Sequence, residues 1–276
     1  MKNGNVFADQ NVVASIVKMT FGSHIQAGLP EQDVFIESSS NKSKVVRVEE
    51  KDIQNPKVLA KPVYATAKAT AHDPFKLGET PLGPFDKGSK LGFTLGQWLG
   101  AIGSGSYVAS GSKTELSLHF NKLISKGVYT VWCSSLTLPP NFKGVDKPCG
   151  AADGSQNSFK ADSKGNGSFS LELSSPLIES TKETVSMVTV AYHSDGKTYA
   201  DKTGDFGKTT HVQLFYLVPT PKPTPTPVPA TPSPSPSPSE TPKPVISGKG
   251  IGWIIVGLLA IVVIISLIAR RKRSSI

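Results

Sequence analysis

Ile251 to Ala269 reads IGWIIVGLLAIVVIISLIA, nineteen residues in which Ser266 carries the only polar side chain. At about 1.5 Å per residue a helix of that length reaches ~28 Å, close to the ~30 Å hydrocarbon core of a bilayer. Arg270, Arg271, Lys272 and Arg273 follow at once, the basic flank that stays on the cytoplasmic side. The pattern predicts one membrane-spanning helix over 251–269 and a basic cytoplasmic tail over 270–276. Everything before it is then what the anchor displays.

The formal charge of +9 agrees with that reading once it is divided along the chain. Residues 219–276 hold seven basic residues against a single acid, Glu240, which leaves a net of only +3 for residues 1–218. A nucleic-acid binder concentrates its excess charge on the folded domain or on a dedicated arm. Here the excess surrounds the anchor, so nucleic acid is excluded as a partner class. Cys133 and Cys149 are the two cysteines, with fifteen residues between them. Two thiols cannot fill a tetrahedral metal site, and neither belongs to a CxxC pair. In an exported domain the pair is expected to form a disulfide worth about 3 kcal/mol, the alternative being buried thiols. The N-terminus, MKNGNVFADQNVVASIVKMTF, lacks the uninterrupted apolar core of an export signal. Without one, a C-terminal span ordinarily acts as a tail anchor and leaves residues 1–218 in the cytoplasm. The basic cluster would then have to cross the membrane. The expected topology is therefore an extracytoplasmic domain and a cytoplasmic C-terminus, with the export signal not present in this chain.

Residues 1–60 offer short β-like runs at Val12–Phe21 and Lys44–Ile53, separated by a polar loop from Glu37 to Lys44. They form either extra strands or an N-terminal extension of the main domain. From Pro62, Val63, Ala65, Ala67, Ala69 and Ala71 alternate with polar or larger residues up to His72, the period of a half-buried strand. Asp73–Gly92 is too rich in glycine and proline for regular structure. Thr94-Leu-Gly-Gln97 reads as a capping box opening one short helix, with Leu95, Trp98, Leu99 and Ile102 at helical spacing and Trp98 in the core. Leu116, Leu118 and Phe120 then alternate with polar residues. Gly127–Cys133 and Val185–His193 are apolar on both faces and read as central strands. Ser158–Asp162 and Gly167–Leu173 flank a glycine-rich connection and read as a hairpin. His211–Val218 closes the domain. Residues 61–218 are thus expected to be a mainly β ectodomain, an antiparallel β-sandwich of Ig-like or Greek-key type with one short helix.

Composition changes abruptly at Pro219. Twelve of the twenty-six residues from Pro219 to Pro244 are proline, and most of the others are Thr, Ser or Lys. Such a stretch favours extended polyproline II, so 219–250 reads as a stalk rather than a ligand for a recognition module. A β-rich domain, a Pro/Thr/Ser stalk, one terminal membrane helix and a basic tail resemble the stalk-and-anchor surface proteins of bacteria and archaea. The resemblance covers 219–276 and implies display at the envelope. No LPxTG-type motif precedes the apolar run, so covalent transfer to a cell wall is not implied.

Catalytic signatures are missing. The chain has no G-x-S-x-G elbow, H-E-x-x-H, Walker loop or G-x-G-x-x-G. Neither cysteine has the downstream His and Met of a blue-copper site. The one constellation worth carrying forward is His193-Ser-Asp195 and the segment to His211. If the strands ending at His193 and beginning at His211 are hairpin neighbours, both imidazoles sit at one loop mouth. Asp195, Asp201 and Asp205 lie in the seventeen residues between them. Two imidazoles with Asp195 and Asp205 could bind zinc or a related divalent ion; strand-end histidines that only hydrogen-bond a loop are the plainer alternative. His72 could join this group, whereas His24 and His119 are expected to be solvated. Asp153, Asp162 and Asn166 lie in glycine-rich turns and serve backbone geometry before calcium. Asn41 and Asn166 head N-glycosylation sequons. Ser134–Asn157, pinned by the second cysteine, is either a rigid binding platform or a restrained connection.

The leading reading is a non-catalytic, membrane-anchored surface domain that binds an envelope or extracellular ligand and needs no cofactor. The alternatives are a divalent-metal module centred on His193 and His211, and a hydrolase of envelope carbohydrate using paired carboxylates.

Overall fold

A computed structural model describes residues 17–72, 80–110, 113–138, 143–174, 181 and 183–218. The stalk expected at 219–250, the span at 251–269 and the tail at 270–276 lie outside the described residues. Among the described residues no helix is long and apolar enough to cross a membrane.

In chain order the strands are β1 (Val17–Thr20), β2 (Phe35–Glu37), β3 (Lys44–Val46), β4 (Pro62–Thr66), β5 (Phe85–Thr94), β6 (Ile102–Ser110) and β7 (Lys113–Asn121). They continue with β8 (Val128–Thr137), β9 (Lys143–Pro148), β10 (Ser158–Lys160), β11 (Gly167–Leu173), β12 (Thr184–His193) and β13 (Thr210–Leu217). The helices are single turns, α1 (Glu50–Ile53), α2 (Pro56–Leu59) and α3 (Leu95–Leu99). The molecule is mainly β with antiparallel sheets, as the sequence predicts. One sheet runs β1-β6-β7-β11, and a second runs β10-β8-β12-β13 with β9 also on β8. The remaining four strands close a small barrel in the order β2-β3-β5-β4. Strands from before residue 60 thus share sheets with strands after it: β1 pairs with β6, and β2 and β3 pair with β4 and β5.

Each element follows from its residue pattern. In β7, Thr114, Leu116, Leu118 and Phe120 are buried while Lys113, Glu115, His119 and Asn121 are exposed, the period-two signature of a strand with one wet face. β8 and β12 lack that alternation because both faces of their sheet are covered: Val131, Val188 and Val190 enter the main core, while Trp132 and Ala191 pack with Val212 and Phe206 in a second cluster. Thr94 caps α3, its hydroxyl accepting from the Gln97 amide at 3.3 Å while Gln97 Oε1 accepts from the Thr94 amide at 2.8 Å. Trp98 is buried in the core as predicted.

The inner faces of the two open sheets share one core, with Leu116, Leu118, Phe120 and Phe169 from the first meeting Val131, Val188, Val190 and Leu214 from the second. A ladder of rings crosses between them: Phe120 stacks on Phe159 at 5.1 Å, and Phe159 on Tyr129 at 5.3 Å. Each such pair adds about 0.5–1.5 kcal/mol beyond burial. Cys133 and Cys149 form the expected disulfide, with Cα atoms 5.0 Å apart.

Several expectations are corrected. The strand from Pro62 stops at Thr66, and Ala67, Ala69 and Ala71 are exposed. β5 starts at Phe85, inside a segment read as irregular. Its period is broken by register shifts on β4, and Gly88 lets the two backbones close: a Cβ there would lie 2.5 Å from the Thr66 carbonyl oxygen. β10 and β11 do not form a hairpin. β10 pairs with β8 and β11 with β7, so Asp162–Asn166 carries the chain from one sheet to the other. The segment after Cys133 is not simply a loop either, since Lys143–Pro148 pairs along β8 as an edge strand.

Candidate functional site

Ser23–Val34, between β1 and β2, is irregular yet largely buried, and it carries His24, Glu31, Gln32 and Asp33 into the interior. A buried segment outside a ladder needs partners for its polar groups. Asp33 supplies several. Its Oδ2 accepts from the Val212 amide at 2.8 Å, so a carboxylate stands where a neighbouring strand would otherwise satisfy β13. Its Oδ1 lies 2.8 Å from His72 Nδ1, and its backbone carbonyl accepts from His211 Nδ1 at 2.7 Å.

The Asp33 side chain is fully buried and that of His72 is 10% exposed. Burial pushes the Asp33 carboxyl up, but the His72 charge and hydrogen bond, aided by the Val212 amide, more than offset it and hold it below the ordinary carboxylate range. Burial likewise draws His72 down, and the Asp33 charge and hydrogen bond outweigh that and raise it. Each partner thus favours the charged form of the other, carboxylate on Asp33 and imidazolium on His72. His72 stacks on Phe206 at 4.3 Å and meets His24 edge-on at 5.4 Å. His24 Nδ1 in turn lies 3.7 Å from Glu31 Oε1. Arg47 closes the group from β3's far end, donating to Gln32 Oε1 at 3.1 Å and to the Ala71 carbonyl at 3.0 Å, with its guanidinium 5.3 Å from the Phe85 ring centre.

His193 and His211 do flank neighbouring strands, but they do not converge. His193 is opposite Thr210, and His211 is opposite Tyr192. Opposed residues share a face and successive ones alternate, so a one-residue offset places the two rings on opposite sides of the sheet. On one side, Trp132 Nε1 donates to Thr130 Oγ1 at 2.8 Å, and Thr130 Oγ1 reaches His193 Nε2 at 2.8 Å. His193 Nδ1 then meets Thr210 Oγ1 at 3.4 Å, and that hydroxyl donates to the Thr203 carbonyl at 2.7 Å. One direction satisfies the whole chain: Thr130 donates to a neutral imidazole, which donates onward from Nδ1. Burial pushes His193 down to about 4, the neutral form this relay requires. On the other side His211 Nδ1 faces a carbonyl and so carries the proton, which leaves Nε2 to accept from Ser194 Oγ at 2.9 Å. Burial lowers His211 as well.

Asp195 accepts from the Tyr199 hydroxyl and the Lys197 amide, and Asp205 pairs with Lys208 at 3.2 Å. Among the described residues no three His, Cys, Asp or Glu side chains are placed to hold a metal ion, and the His193, His211, Asp195 and Asp205 set is not gathered. Asn41 and Asn166 are both exposed, Asn41 in a turn closed by Ser43 and Asn166 beside Asp162, whose carboxylate organises the 162–166 turn. His119 is solvated as expected, whereas His24 is 1% exposed. Glu31, Asp33 and Arg47 carried no sequence signal, since Glu31 and Asp33 belong to one short polar run after Pro30, Arg47 stands between two valines, and no motif spacing links them. No family model matches this chain, and no curated protein or solved structure does so.

Proposed function

We propose that the chain is a membrane-anchored cell-surface protein whose β-sandwich domain, of Ig-like or Greek-key type, binds or adheres without catalysis. The domain stands outside the membrane on the Pro/Thr/Ser-rich stalk 219–250, held by a helix over 251–269, with the tail 270–276 in the cytoplasm. Its partner is an envelope or extracellular ligand and no nucleic acid. The observation that carries this reading is the Cys133–Cys149 disulfide, a cross-link that persists in oxidising compartments. It agrees with the outward topology implied by Arg270–Arg273.

The buried network supports a structural role for His193 and His211, because their ring nitrogens are taken up by Thr130, Thr210, Ser194 and the Asp33 carbonyl. A zinc module at His193 and His211 draws no support from rings on opposite faces. A carbohydrate hydrolase needs two carboxylates facing a groove, and Glu31 and Asp33 are both fully buried. Treating intact cells that produce the full chain with a membrane-impermeant amine-reactive biotin tests the topology. Labelling without lysis is expected. Labelling that appears only after lysis overturns the reading.

A further inference from the structure

At one end of the barrel, the loop from β2 to β3 and the start of β4 border a half-open pocket of about 230 Å³. Lys42, Lys61, Ser38 and Ser39 line it with Pro62 and Tyr64, and the Ser38 hydroxyl is held 3.0 Å from Ser40 Oγ. Glu37 also lines it, already paired: Lys87 Nζ lies 2.9 Å from its Oε2 and 5.2 Å from the Tyr64 ring centre. The Lys87 hydrogen bond, with added charge from Lys42 and Lys61, holds the Glu37 carboxyl below its ordinary range. Lys42 and Lys61 themselves act on Glu37 only at a distance, and neither forms an ion pair with a described residue. Two unpaired cations beside one neutralised carboxylate leave the pocket with excess positive charge, which selects an anion.

A bare anion would use only the lysines. The space lies below the ~300 Å³ at which drug-sized sites begin, which suits one sugar ring rather than a larger ligand. A sugar bearing a carboxylate engages every wall: the carboxylate meets Lys42 and Lys61, and the ring hydroxyls meet Ser38, Ser39 and the free lone pairs of Glu37. Its C–H surface lies on Pro62 and the edge of Tyr64. We propose that this pocket binds a uronic-acid residue, free or within a polymer. The proposal deepens the display reading by giving it a ligand class, and it rests on that reading only for the ligand's origin.

Titration calorimetry on the purified full chain tests it with D-glucuronate, D-glucose, inorganic phosphate and a glucuronate oligomer as probes. Glucuronate is expected to bind, more weakly at high salt, and glucose to give no response. Replacing both cations (Lys42→Gln with Lys61→Gln) is expected to weaken glucuronate at least about tenfold, as loss of charge-assisted contacts does, with the melting temperature unchanged because both side chains lie at the surface. Tighter binding of the oligomer assigns the ligand to a polymer, and equal affinity assigns it to the free sugar. Glucose binding as well as glucuronate, phosphate competing equally, or unchanged affinity in the double variant overturns the proposal. The measurement uses purified protein, so a failed topology test leaves it standing, and its own failure leaves the topology untouched.

Discussion

The core between the open sheets and the junction around Asp33 are equally buried, yet they are held by opposite physics. In the core, Leu116, Leu118, Val188 and Val190 meet side chain to side chain on regular strands whose ladders already satisfy the backbone. At the junction the chain is irregular, so charged and polar side chains must replace a missing ladder. Asp33 takes the Val212 amide, the His72 ring and, through its carbonyl, the His211 ring. Buried polar groups cost several kcal/mol unless each is paired. The difference teaches that depth alone does not set the response to mutation or pH. The core should answer to volume, and the junction to charge.

The largest break in that comparison is Asp33→Ala. It leaves His72 Nδ1 and the Val212 amide without their partner in the interior and is expected to cost about 4 kcal/mol in urea unfolding, as broken buried pairs do. A loss below about 1 kcal/mol would mean the junction is not held by this carboxylate. Leu118→Ala, its counterpart in the core, is expected to cost about 3 kcal/mol through the cavity it leaves, without changing the pH profile.

That profile is the next test. His193 has a pKa near 4 in the folded chain against 6.5 in the unfolded one, so the unfolded chain holds the extra proton between those values. Stability is then full above pH 6.5 and falls by about 3 kcal/mol as the pH approaches 4. His211 shifts in the same direction. Asp33 is lowered, so its contribution is present above the ordinary carboxylate range and is lost as the pH falls through its folded value. His72 is raised, so its contribution is present below pH 6.5 and is lost as the pH rises through its folded value. Urea midpoints measured from pH 4 to 9 should therefore peak near neutrality and decline on both sides; a flat profile would refute the assigned protonation states.

Removing the disulfide (Cys133→Ala with Cys149→Ala) is expected to cost about 3 kcal/mol and to act on both regions alike, since it releases the unfolded chain rather than a local contact. The smallest effect is Thr94→Ala. Loss of the α3 cap should lower stability by about 1 kcal/mol, read from the same urea curves.

Much of the core was legible because its signals are local. The alternation from Lys113 to Asn121 states which side chains turn inward, and the unbroken apolar runs of β8 and β12 state that both are central. Thr94 and Gln97 announce α3 at a spacing only a capped turn uses. The junction was not legible. His72 and Asp33 are thirty-nine residues apart, and His211 is 178 residues from Asp33. No periodicity links them. His24 read as solvated because a polar residue in an irregular segment ordinarily is, and only tertiary packing over Ser23–Val34 buries it.

By itself the sequence determined the β-rich class, the cross-linked cysteines, the buried face of β7 and the place of Trp98, because those follow from residue type and short-range spacing. Tertiary structure decided the barrel, the sheet crossing at Asp162–Asn166 and the fate of the histidines. His193 and His211 looked like one site because they bound one connection. A register one residue out of step set them on opposite faces, and register is fixed by how two strands dock rather than by either strand alone.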